Sequence, residues 1–220
     1  MGSLFAIAIF FSFAVYVLYL SSSTFKDGSN ILESELNSLK TEIEQKNLEL
    51  IPISREELEI ASANLANYNY KKGFRYDSFT GTLVTIYHEP LLVFTGKLFK
   101  STSSKVAIIY AKNINFDFAL KITSRDIEVM SNNKFIGNIY SNYTFTDVNN
   151  KPFAKIEKKY NDYSFNILNN QLASLNSESL DTTSNLTRAF QSLNATLSAS
   201  EAEWLTLMLF YFLFDNKNHI

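Results

Sequence analysis

The chain has 220 residues, 46% hydrophobic and 15% aromatic, with a formal net charge of −2. That is ample apolar material for one domain core with attachments. It has no cysteine and only two histidines, His88 and His219. This excludes disulfides, thiolate chemistry and a lipidated-cysteine anchor, and leaves no imidazole cluster for metal binding or catalysis. Charge is unevenly spread: residues 27–66 carry nine acids and three bases, 70–160 fourteen bases and seven acids, and 161–220 two bases and six acids. A basic middle therefore lies between two acidic flanks.

Residues 3–20 read SLFAIAIFFSFAVYVLYL, without a charge. As a helix this run rises about 27 Å, close to the bilayer core. Tyr16 and Tyr19 sit at one end, where amphipathic rings favour the interface. No Lys or Arg precedes the run, and Ser21 to Ser23 is a poor cleavage site, so residues 1–25 are expected to form an uncleaved single-span anchor. A β-domain secreted after signal-peptide cleavage is the alternative. Met1-Gly2 begins like a myristoylation signal, but Ala6 stands where Ser or Thr is needed. Lys26 and Lys40 follow the span, so the positive-inside rule leans towards a cytoplasmic C-terminal part.

Residues 26–66 are expected to form a helical stalk. Over 29–51, Leu32, Leu36, Leu39 and Ile43 are spaced 4, 3, 4 as in a heptad seam. The pattern fits a short dimeric coiled coil or a locally packed juxtamembrane helix. Pro52 ends it, and Ser54-Arg55-Glu56-Glu57 is a capping box that starts a second helix running to about Ala66.

From Thr82 the period changes to short runs rich in β-branched and aromatic residues: TLVTIY, PLLVFTGKLF, KVAIIYA, NFDFALKI, DIEVM, KFIGNIY, YTFTDV, PFAKIE and YSFNIL. Asn132-Asn133, Asn149-Asn150 and Asn169-Asn170 suit tight hairpins, because asparagine tolerates left-handed backbone angles. Residues 128–139, 146–156 and 166–175 repeat one unit: a strand, an Asn-Asn turn, then Gly137, Ala154 or Ala173 two before Ile139, Ile156 or Leu175. A hairpin-length period predicts an antiparallel meander. Residues 176–200 read as a surface connection, with Ser200 capping a terminal helix and Glu203 completing its capping box. From Trp204 to Phe214 only Thr206 is polar. Eleven such residues rise about 16 Å, too short to span a bilayer, and a helix apolar all round is buried on every side.

Three features carry a family resemblance over residues 82–214. Strand pairs have Gly or Ala before Ile, as in Phe135-Ile136-Gly137-Asn138-Ile139 and Pro152-Phe153-Ala154-Lys155-Ile156. A Tyr-Ser-Phe-Asn-Ile strand (163–167) follows a basic turn, and the chain ends in a nearly all-apolar helix. This resembles the tubby C-terminal-like superfamily, which includes tubby, the phospholipid scramblases and the LURP-one-related proteins. The resemblance implies a mostly β, α+β fold: a closed antiparallel β-barrel (67–220) around a buried C-terminal helix (201–214). It supplies no phosphoinositide-binding residues that map onto this chain.

Lys71, Lys72 and Arg75 precede the predicted strands, and Lys151, Lys155, Lys158 and Lys159 surround one predicted hairpin. Such a basic face near a tether suits anionic headgroups, phosphoinositide included. Lys155 and Lys159 share a strand face and Lys158 points away. His88-Glu89 is read as a structural pair at a strand end. Asp117, Asp126 and Glu128 lack metal-ligand spacing, and the chain has no glycine-rich phosphate loop or nucleophile elbow. The expectation is a single-pass membrane protein without enzymatic activity, metal, cofactor or nucleic-acid partner. Its barrel would bind anionic lipid or a protein partner at the membrane surface. The alternative is an envelope-associated scaffold that homodimerises through its stalk.

Overall fold

A computed structural model of the protein describes residues 28–46, 48–99, 106–123, 126–180 and 187–218. The expected N-terminal anchor lies outside them. Among the described residues no helix is long and apolar enough to cross a membrane. The chain divides between Ser38 and Leu39 into two compact units, the second running to Ile220.

Helix α1 spans Gly28–Gln45 and α2 spans Arg55–Glu59. Eleven strands follow: β1 Ala61–Lys71, β2 Tyr76–Thr85, β3 Pro90–Phe99, β4 Val106–Lys112, β5 Asp117–Ile122, β6 Ile127–Ser131, β7 Lys134–Ile139, β8 Thr144–Thr146, β9 Pro152–Lys159, β10 Asp162–Ile167 and β11 Asn170–Asn176. A 3₁₀ turn (Ser177–Leu180), the short β12 (Ser192–Leu193) and helix α3 (Ala199–Asn218) complete the described chain. The strands form one antiparallel sheet in sequence order, β1 to β12. The predicted meander is therefore the whole domain.

Helix α3 is the core of that domain. Every residue from Leu205 to Phe214 is buried. Phe210 meets Phe94 of β3 and Phe118 of β5, with ring centroids 4.9 and 5.5 Å apart. Phe212 meets Tyr163 and Phe165 of β10 at 4.5 and 5.9 Å. Positions two apart on a helix differ by about 200°, so the sheet flanks α3 on opposite sides. This is why the helix can be apolar on all faces. The helix begins with a capping box at Ser198 and Glu201, not at Ser200 and Glu203. Glu201 N donates to Ser198 Oγ (3.2 Å), and Ser198 N donates to Glu201 Oε2 (2.9 Å). Ser198 N and Ser198 Oγ both donate to Glu201 Oε2 and hold its carboxyl below its ordinary range.

The sheet is not closed into a barrel, contrary to the expectation from the resemblance. Closure needs a continuous ladder at a consistent stagger. Instead, β12 pairs with β11 through two residues, and β1 meets the segment before β12 at one isolated bridge, Ser62 to Arg188. Ala63 N donates to Thr187 O (2.8 Å) and Ala189 N to Ala61 O (2.7 Å) around that bridge. Gln191 N and Asn194 N donate to Ser174 O and Leu172 O of β11. Residues 187–194 thus lie between the two edges and tie them with single bonds.

The stalk also differs from expectation. Ser54 caps α2, accepting a hydrogen bond from Glu56 N at 3.2 Å, but the helix ends at Glu59 and residues 61–71 form β1. Pairing with β2 and burial of Ala61, Ser62, Ala63 and Leu65 override the local helical pattern. Helix α1 ends at Gln45 because the chain before Pro52 is recruited by the sheet: Ile51 N donates to Pro90 O (3.0 Å), and Ile51 O accepts from Asn113 Nδ2 (2.9 Å). In the second unit, Leu39 and Ile43 are buried. Their turn of α1 lies against the outer face of β3 and β4. Thr95 Oγ1 donates to Glu42 Oε1 (3.0 Å), Lys112 lies 4.0 Å from Glu44, and the Lys40 ammonium sits over the Tyr110 ring. These two seam residues pack within the chain.

The repeat has a packing explanation. Ile139, Ile156 and Leu175 are core residues, and Ala154 and Ala173 before the latter two are buried as well. Gly137 has φ +150°, and a Cβ there would lie 1.8 Å from Thr146 O.

Candidate functional site: the cationic end of the sheet

Because each strand runs antiparallel to the next, alternate turns share an end. The β6–β7, β8–β9 and β10–β11 turns, with those after β2 and β4, form the asparagine end. The β1–β2, β5–β6, β7–β8 and β9–β10 turns form the other end, where α3 also terminates. There Tyr143 Oη donates to Asp215 Oδ2 (2.5 Å) and the Lys217 ammonium lies 4.6 Å from the Tyr68 ring centre. Burial, then the bond to Asp215, pushes the Tyr143 phenol well above its ordinary range. Burial lowers Lys217.

The structure separates the seven predicted basic residues into two groups. Lys71, Lys72 and Arg75 are exposed in the β1–β2 hairpin, and Lys158 and Lys159 are exposed beside the β9–β10 turn. These five share one end. Lys151 belongs to the asparagine end, in the turn before β9. Lys155 lies in mid-strand, and its ammonium donates to Glu157 Oε1 at 3.0 Å. That bond holds the exposed Glu157 carboxyl below its ordinary range. Lys151, Lys155 and Lys159 line the same open groove on the outer face of β9, of about 530 Å³, while Lys158 turns to the Tyr163 ring (5.6 Å). The predicted alternation is thus observed, and Lys159 belongs both to the end cluster and to the groove that Lys151 and Lys155 line.

Among the described residues no ion pair holds Lys71, Lys72, Arg75, Lys158 or Lys159. The nearest acid in the first hairpin, Asp77, faces inward and is buried. It accepts from Tyr70 Oη (2.7 Å) and Gly73 N (3.0 Å). The bond to Asp77, with some burial, pushes the Tyr70 phenol up to about 12.

Each tip also carries an aromatic residue that the sequence reading passed over. Phe74 is 97% exposed within Lys71-Lys72-Gly73-Phe74-Arg75, and Tyr160 is 98% exposed after Lys158-Lys159. Tyr160 and Asn161 form a two-residue loop between paired Lys159 and Asp162. Tyr160 has φ +56°, a left-handed conformation that costs a non-glycine residue about 1–2 kcal/mol. An aromatic ring inside a lysine-rich turn was the available signal.

The other candidates resolve into structure. Thr85 Oγ1 donates to Glu89 Oε2 (3.1 Å) and accepts from the Tyr87 and Glu89 amides, so Glu89 closes the turn that contains His88. Asp117 accepts from Tyr110 Oη and Asn132 N, both at 2.8 Å. Glu128 takes both of its bonds from Lys121 at 3.0 Å. Among the described residues no group of three or more acids, histidines or cysteines is placed to hold a metal. A pocket of about 200 Å³ beside Trp204 contains Asp117, Ser131 and Glu203, but Asp117 is already committed to its two donors. The chain matches no protein-family model, no curated protein and no solved structure.

Proposed function

We propose that this protein is a non-enzymatic membrane-surface binder that meets anionic lipid headgroups with the cationic end of its sheet. The observation that carries this is the convergence on one end of five cations, from hairpins far apart in sequence, that no ion pair holds among the described residues. Residues 187–194 bond β11 on one side and β1 on the other, so β11 and that segment separate β10 from β1. At about 4.8 Å per strand, the two tips stand roughly 20 Å apart, close enough to touch one patch of bilayer.

Five lysines and arginines near an anionic surface contribute at most about 5 kcal/mol, reduced by salt. A dissociation constant of 1 mM corresponds to about 4 kcal/mol. The headgroup interaction alone is therefore modest and suits a domain already tethered. Residues 3–20 supply such a tether in this reading, raising the local concentration of bilayer at the tips. A sequential antiparallel sheet flanking a C-terminal apolar helix also supports kinship with the tubby-like group.

The test is amine acylation of the full chain in vesicles, read by mass spectrometry. Lys71, Lys72, Lys158 and Lys159 are expected to be protected in phosphatidylserine-containing vesicles relative to neutral ones, and Lys134, Lys151 and Lys155 are not. Protection only with phosphoinositide would narrow the lipid. Equal labelling in all vesicles would retire the lipid reading and leave a protein partner.

A further inference from the structure

The charge argument leaves Phe74 and Tyr160 unused, and they are the two most exposed large apolar side chains in the described structure. Nothing within the fold accounts for either. Phe74 touches almost no protein at 97% exposure, and Tyr160 holds a left-handed backbone with its ring at 98% exposure. The two-residue turn requires the positive φ, and an exposed tyrosine there, where glycine or asparagine would suit, is a choice the fold does not require.

Resting on the lipid reading above, we propose that Phe74 and Tyr160 insert into the boundary between headgroups and acyl chains, and that the partner of this end is a bilayer rather than a soluble anion. Four observations combine. Both rings sit at turn tips, the parts of the domain that reach furthest along the strand direction. Both tips are at the same end of the sheet. Each ring is flanked by cations: Lys71, Lys72 and Arg75 around the first, Lys158 and Lys159 before the second. A ring among lysines fits the layered chemistry of a membrane surface, where cations meet phosphates and aromatic side chains settle just below. A soluble phosphate would engage the lysines but would give the rings nothing to bury against.

The comparison with the other end narrows the choice. Leu168 is also exposed at a turn, at 70%, beside a groove that Lys151 and Lys155 line, and the exposed Phe135 follows Lys134. Val148 is flanked by Asp147. Exposed apolar residues beside cations occur at both ends, and Phe74 and Tyr160 are set apart by being almost wholly exposed at turn tips.

The chain has a single tryptophan, Trp204, which packs on Phe153 with centroids 4.6 Å apart. Trp204→Phe with Phe74→Trp therefore makes the tip the only tryptophan of the full chain. Its emission is to be read on phosphatidylserine vesicles containing phospholipid brominated along the acyl chain, beside the lysine protection above. The expected result is a blue shift and bromine quenching that appear together with protection of Lys71 and Lys72. Protected lysines with an unshifted, unquenched tryptophan would overturn insertion while leaving headgroup binding intact. Neither protection nor quenching would overturn both. Soluble inositol phosphate that abolishes protection at equal phosphate concentration would also overturn the bilayer assignment. Should Trp204→Phe disturb folding, Phe74→Ser with Tyr160→Ser in the natural background serves instead. Insertion then predicts about tenfold weaker protection at physiological salt, and unchanged protection contradicts it.

Discussion

At the asparagine end the turns after β2, β4, β6 and β8 are tied by side-chain acceptors, whereas of the two projecting tips at the cationic end Asp77 ties the β1–β2 tip and, among the described residues, no side-chain bond ties the β9–β10 tip. Asp147 accepts from the amides of Asn149 and Lys151, both at 2.9 Å. Thr85 and Asn113 do the same for their turns, and Asp117 accepts from Asn132 N across the β6–β7 turn. Asn132, Asn133, Asn150 and Asn169 take the positive φ values that such turns need, as do His88 and Leu168. In the β9–β10 tip a tyrosine takes that strained position instead, and in the β1–β2 tip the buried Asp77 leaves a phenylalanine and three cations outside. The contrast teaches where selection for stability stops. Polar turn chemistry serves the fold, and the exposed rings of Phe74 and Tyr160 among their cations add no packing to it.

Several substitutions would break or sharpen this contrast. The largest effect belongs to neither end. Leu209→Asp places an unpaired charge in the middle of α3, where Leu209 is fully buried. It should cost about 4–5 kcal/mol or more and abolish the cooperative thermal transition. A folded, stable Leu209→Asp protein would contradict the central-helix architecture. Next is Gly137→Ala, whose Cβ would collide with Thr146 O at a φ that L-residues avoid. About 2–3 kcal/mol of destabilisation by chemical denaturation is expected. At the asparagine end, Asp147→Ala removes two amide acceptors and should cost about 1–2 kcal/mol while leaving lysine protection on vesicles unchanged. At the cationic end, Lys158→Ala with Lys159→Ala should leave stability within about 0.5 kcal/mol and weaken headgroup binding by about 2 kcal/mol, roughly thirtyfold.

Alkaline pH offers a smaller, global check. Tyr70, Tyr110, Tyr143 and Tyr211 all have phenols raised above their ordinary value, Tyr70 to about 12. The folded state therefore binds these protons more tightly than the unfolded chain. The stability they contribute is complete below about pH 10 and is lost as pH rises through the folded values. Melting temperature should be flat across that threshold from below and fall above it, and Tyr143→Phe should reduce the fall.

The parts of the fold legible in sequence were those with a local cause. An eleven-residue apolar stretch too short for a bilayer had to be a core helix, and Asn132-Asn133 had to turn. The third turn shows the margin: Leu168 and Asn169 occupy it, and Asn170 opens β11. Parts decided by distant partners were not legible. Residues 61–66 carry a helical pattern but are claimed by β2 and by residues 187–189. Ser198 caps α3 in place of Ser200, because the helix starts one residue after Ser198. The basic residues were found by composition, but strand parity was needed to set Lys71, Lys72, Arg75, Lys158 and Lys159 apart from Lys151 and Lys155. Phe74 and Tyr160 stayed hidden because an aromatic residue beside a strand reads as part of its core face until its exposure is known.

The central claim is that two hairpins of one end dock as a single surface. The most direct measurement compares Lys71→Glu/Lys72→Glu with Lys134→Glu/Lys151→Glu in the full chain, reading acylation of Lys158 and Lys159 on phosphatidylserine vesicles. Reversal at the first hairpin should expose the lysines of the second, and reversal at the asparagine end should leave them protected. Protection of Lys158 and Lys159 that survives the first pair, or is lost equally with both pairs, would contradict the account.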